Sequence, residues 1–252
     1  MAKNRFMSSS NPFIGDNTFS KHSSVGITKE SSGLMTISGA VNKSFLLTSI
    51  LFASALVTYQ SEFFSMPLMW GTMIGGLALA IATFMKPTIA HITAPLYAVV
   101  EGVLVGGISL IYAIQLGSGI VFNALMLTIL CLVSMLAAYK TGLIKPTEKF
   151  RSMIVTATGA IMMIYLLSIV MSMFEVQLPY LHGSGLIGIG ISLFIIAIAV
   201  LNLILDFDNI EKGAKTGAPQ YMEWVCALGL LVTLVWIYLE ILRLLAILSS
   251  ND

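Results

Sequence analysis

Charge is scarce in this chain: only 10% of its 252 residues are Asp, Glu, Lys or Arg, while 57% are hydrophobic. A soluble domain carries about 25% charged residues, so this one could not cover a water-facing surface, and the mean hydropathy of +0.93 agrees. The composition excludes a soluble globule and leaves an integral membrane protein, with the lipid bilayer as its first partner. The net charge of +1 gives no global basic bias, which argues against nucleic acid as a partner.

Catalytic vocabulary is also missing. The three histidines, His22, His91 and His182, are too scattered for a ligand set. There is no H-E-x-x-H, no G-x-S-x-G and no G-x-G-D motif of an intramembrane protease. The glycines of "GLIGIGIS" (185–192) open an apolar segment with no strand before it, so they read as helix packing rather than a dinucleotide loop. Cys131 and Cys226 both lie in apolar runs and read as buried packing residues, and the fifteen methionines as filler. The chain is expected to be no enzyme and to hold no resident cofactor or certain metal.

What is present is a series of long apolar runs. A helix needs about 20 apolar residues to cross about 30 Å of hydrocarbon. Seven segments qualify, at about 44–60, 66–85, 91–114, 119–139, 152–174, 184–206 and 221–247. They are continuous rather than alternating, so they are helices and not barrel strands. The fold class is an all-α membrane protein of seven transmembrane helices, with residues 44–252 as one domain. Residues 1–43 are polar, rich in Ser, Asn and Gly, with no signal-peptide pattern, and read as a flexible cytosolic tail.

With seven spans, twelve of the thirteen Lys and Arg residues fall on one side; only Arg243 does not. The positive-inside rule then places the N-terminus in the cytoplasm and the C-terminus outside.

Carboxylates inside spans need an account, because one at mid-bilayer costs roughly 2.5–3.5 kcal/mol. Glu101 lies about 15 Å into the third span at 1.5 Å per residue, followed by Gly102 and Gly106, whose spacing admits a neighbouring helix. Asp206 ends the sixth span one turn after Asn202 and is expected to face the bundle, with Asp208 and Glu211 reaching water. Glu223 opens the seventh span beside Trp224, as an interfacial anchor or a partner of the helix dipole. Glu240 and Arg243, three residues apart near the far end, read as a local ion pair. If Asp206, Glu101 and Glu223 converge, they form a proton switch or a site for a hard cation such as Ca²⁺.

The stretches "LDFDNIEKGAKTGAPQYMEW" (205–224), "TLVWIYLEILRLLAIL" (233–248) and "EGVLVGGIS" (101–109), with an "SSNPF"-like tail, resemble the Bax inhibitor-1/YccA family and its bacterial branch. The resemblance implies six helices around a central seventh, in a bacterial inner membrane. It implies a pH-sensitive calcium leak in some members, where an aspartate late in span six pairs with one in span seven and a span-two arginine contributes. YccA-type members instead modulate the membrane-bound FtsH protease through the N-terminal tail. Asp206 matches the sixth-span aspartate. Thr233 stands at the seventh-span partner position, where Glu223 and Glu240 are the nearest acids, and Lys86 is the only basic candidate for the arginine. Two functions are therefore expected: a pH-gated Ca²⁺ or H⁺ pathway switched by Asp206 with Glu101, or a non-conducting modulator of a membrane protease complex.

Overall fold

The structure, a computed structural model, describes residues 33–61, 64–173 and 185–249. Among them are seven helices long and apolar enough to cross a membrane. They are α1 Ile37–Ser61, α2 Met66–Met85, α3 Ala90–Leu116, α4 Gly119–Lys140, α5 Glu148–Met173, α6 Leu186–Lys215 and α7 Met222–Ser249. The all-helical, seven-span expectation holds.

Local chemistry sets the ends. Ser65 is extended at the start of α2 and Pro67 follows within the first turn, where its missing N–H costs nothing. Lys86 precedes Pro87, and a residue before proline is pushed out of helical geometry, so α2 stops there and a short 3-10 turn, Pro87–Ile89, leads into α3. The end of α6 is closed by Gly217 at φ +68, a conformation that a Cβ disfavours, with the Ala218 N–H donating to the Gly213 carbonyl at 3.0 Å.

Three helices differ from the segments read off hydropathy, for one shared reason: hydropathy finds the greasy part of a helix and misses polar turns that continue it. α1 begins at Ile37 because Thr36 caps it, its hydroxyl accepting from the Gly39 N–H at 2.9 Å. Lys43 is thus a helical residue and not the last of a tail. α5 begins at Glu148, where the Thr147 hydroxyl accepts from the Phe150 N–H at 3.2 Å. α6 runs on to Lys215, so Asp206, Asp208 and Glu211 all sit on the helix.

The chain packs as two compact units, residues up to Ile111 with Asp206–Val232, and Tyr112–Leu205 with the chain from Thr233. In the first, the core gathers Met35, Ala40, Ala90, Ile210, Ala218, Met222, Val225 and Cys226. The α3 glycines do what their spacing predicts. A Cβ on Gly102 would stand 2.5 Å from the Leu51 carbonyl oxygen, and one on Gly106 would overlap the backbone of Ala55, so α1 lies directly on α3. The Ser54 hydroxyl donates to the Val99 carbonyl at 2.8 Å across the same contact. In the second unit Ile154, Ile161, Ile195, Ile198 and Leu205 form the core with Trp236 packed on it. There Asn202 donates to the Thr158 hydroxyl of α5 at 2.8 Å.

Burial separates the helices. In its most apolar window α7 is 78% buried, against 17% for α4 and for α5. The exposed side chains of the less buried helices are themselves apolar, Phe45, Ile74, Phe122 and Met163 among them. Water would not tolerate so much continuous apolar surface, and hydrocarbon does.

Candidate functional site

Between Leu203 and Ile210 every residue of α6 is buried, whichever face of the helix it occupies. Into this enclosed stretch the sequence places both Asp206, 3% exposed, and Asp208, 6% exposed. For Asp206 the expected inward position is what the structure has. For Asp208 the expectation of contact with water is corrected: the helix continues past it and its whole turn is buried. The Asp208 carboxylate is met by Lys212 of the next turn at 2.8 Å, whose stem carries its ammonium outward. Glu211 is half-buried and pairs with Lys215.

Glu223, 2% exposed at the start of α7, is held by three donors from the beginning of α1. The Thr36 N–H donates to Oε1 at 2.8 Å, the Thr36 hydroxyl donates to the same oxygen at 3.1 Å, and the Lys43 ammonium binds Oε2. The arrangement is a capping box completed by another helix. In an ordinary box the third helical residue sends a carboxylate back to the capping N–H. Here that residue is Gly39, and a Cβ on it would overlap the Glu223 carboxylate that fills the place. Just before it, Leu34 and Pro219 form an antiparallel bridge, with Met35 N–H to the Ala218 carbonyl at 2.7 Å and Gln220 N–H to the Gly33 carbonyl at 2.9 Å. Glu223 is therefore an anchor for the chain entering α1, the interfacial role among those the sequence offered.

Glu101 is half-buried in α3 and accepts from the Tyr97 hydroxyl one turn back. Gly76 of α2 leaves the room for it, since a Cβ there would stand 3.0 Å from Oε2. Cys226 of α7 lies within electrostatic reach of both Asp206 and Glu223. Among the described residues no three His, Cys, Asp or Glu side chains gather so as to hold a metal ion. Lys86 is exposed at the end of α2, and Thr233 is buried in α7.

Glu240, 6% exposed, is more than half of a local ion pair. The Tyr165 hydroxyl of α5 donates to its Oε1, and Arg243 donates to that same hydroxyl at 3.3 Å. The Arg243 guanidinium stands 3.9 Å from Oε2, which makes no hydrogen bond among the described residues.

The Bax inhibitor 1 like family profile matches residues 7–250. The chain belongs to the Bax inhibitor 1 like family. No protein of curated function is significantly similar to it. Together with the seven spans, membership makes the chain a multi-pass membrane protein of Bax inhibitor type.

Two polar residues of this Bax inhibitor-like protein escape sequence reasoning. Arg151 is one of the twelve cations that share a side, and it lies in the first turn of α5, 2% exposed. The signal was available: Thr147-Glu148 after Pro146 is a helix start, which puts Arg151 on the helix. Tyr165 sits in a uniformly apolar run and carries no such signal.

Proposed function

We propose that this protein is a pH-sensitive leak pathway for Ca²⁺ or a like cation across a bacterial inner membrane, with Asp206 as its switch. The observation that carries the reading is the enclosure of Asp206 and Asp208 in a stretch of membrane helix buried on every side. Such carboxylates are costly where they stand, and in membrane proteins they mark ion and proton paths. Glu101, with its tyrosine partner and the glycine that makes room for it, is the second carboxylate assigned to the path. Glu223 is assigned to the anchor. The orientation that goes with this reading has the Lys- and Arg-rich ends in the cytoplasm and the C-terminus outside. In calcium-loaded liposomes, Asp206→Asn with Glu101→Gln should change the rate of Ca²⁺ release or its response to pH. Release from the variant that matches wild type at every pH would sink the reading.

A non-conducting role as a modulator of a membrane-bound protease complex of FtsH type is the second reading. It is favoured by the fastening of Gly33–Thr36 to Ala218–Glu223, which fixes the point from which residues 1–32, outside the described residues, depart. Deletion of residues 1–32 leaves that fastening in place. If turnover of a membrane substrate and co-purification of the protease ignore the deletion, this role is excluded.

A further inference from the structure

The Lys43–Glu223 pair has a second neighbour. A cleft of about 300 Å³ opens beside it, lined by Lys43, His91, Gln220, Tyr221 and Trp224. These residues come from the N-terminal ends of α1 and α3 and from the turn into α7. Odd-numbered spans all start on the same side, the one that bears the Lys and Arg residues. The volume is at the lower end for small-ligand pockets, roughly 300–1,000 Å³.

The lining is specific in kind. It offers an ammonium, an imidazole, an amide and a phenol, and none of the five is a carboxylate. Lys43 lies 5.3 Å from the centre of the Trp224 ring and is held from behind by Glu223. An ammonium has three donors, so one bond to Glu223 leaves two to spare. His91 places Nδ1 3.1 Å from the Thr88 carbonyl, which orients the ring against the cleft. Tyr221 and Trp224 supply apolar walls with polar tips, the side chains that settle at the membrane–water boundary.

We propose that this cleft binds the phosphodiester of an anionic glycerophospholipid headgroup. Lys43 and Gln220 donate to the phosphate oxygens, with the His91 ring beside them, while Tyr221 and Trp224 flank the glycerol. A basic pocket between the ends of membrane helices is where such headgroups are held. The site is independent of whether the protein conducts ions.

The full chain in detergent, titrated with short-chain phosphatidylglycerol or phosphatidylcholine and read by native mass spectrometry, tests this. Both lipids carry the phosphodiester, but the choline ammonium sets a second cation against Lys43, so wild type should retain phosphatidylglycerol about tenfold more strongly. His91→Ala with Gln220→Ala changes two exposed side chains, so folding is kept, and it should lower that retention several-fold. Lys43→Met with Glu223→Leu removes the cation without stranding its partner and should abolish the preference. Equal retention of the two lipids by wild type would overturn the proposal, as would a preference that neither double variant reduces. Millimolar inorganic phosphate should leave the lipid bound. Its displacement by phosphate would overturn the assignment to lipid.

Discussion

Helix α7 carries two buried carboxylates, and they are treated differently. Glu223 is given three donors: a backbone N–H, a hydroxyl and an ammonium, at the positive end of its helix dipole. Glu240 is given the Tyr165 hydroxyl and the Trp236 indole N–H, an arginine at 3.9 Å, and an oxygen with no hydrogen bond among the described residues. The difference teaches what each is for. A carboxylate met by a backbone N–H, a hydroxyl and a cation from another helix holds the two helix starts together. One with an oxygen left without a hydrogen bond holds its surroundings less firmly, so a neutral group of the same shape replaces it at lower cost.

The same substitution in the two places gives the largest contrast. Glu223→Gln should cost roughly 2–4 kcal/mol, because Lys43 loses its counter-charge and the Thr36 bonds weaken. Glu240→Gln should fall within about 1 kcal/mol of wild type, since the neutral amide still accepts from Tyr165. Unfolding in detergent, followed by denaturant or heat, measures both; equal losses would erase the distinction.

Gly39→Ala attacks the first region without touching a charge. The new methyl overlaps the Glu223 carboxylate and must displace it, for a loss of about 1–3 kcal/mol. An alanine tolerated at no cost would mean that the clasp is looser than described. Tyr165→Phe sharpens the second region: it removes the donor to Glu240 and the acceptor for Arg243, and should cost about 1–2 kcal/mol. The smallest effect belongs outside both. Lys215→Ala breaks a solvent-facing pair with Glu211 and should move stability by at most about 0.5 kcal/mol, less in high salt.

Much of this is legible in the sequence. Long apolar runs fix helices, so the seven spans appear where hydropathy puts them, and Gly102 and Gly106 mark a close helix contact because only small side chains permit one. Asp206 could be singled out because a carboxylate inside a hydrophobic run has no inexpensive explanation. What stayed hidden depends on partners distant in sequence. The polar turn at 33–36 looks like any tail until Glu223, 187 residues from Thr36, completes its cap. Asp208 looks like an interfacial residue because charge follows it, yet the helix continues past it and its whole turn is buried. Glu240 looked like half of an i, i+3 pair, since the hydroxyl that claims it sits on α5, 75 residues earlier. Boundaries of hydropathy and boundaries of helices are different things, and the residues between them, Lys43, Arg151 and Asp208, include two of the buried charges.

The central claim is that Asp206 switches a cation path, and calcium release from liposomes across a pH series tests it most directly. Wild-type protein should release Ca²⁺ at a rate that changes with pH, while Asp206→Asn, fixed in the uncharged form, should release it at a rate that pH no longer alters. A variant whose pH profile superimposes on that of wild type, or a wild-type rate no higher than that of protein-free liposomes, would contradict the claim.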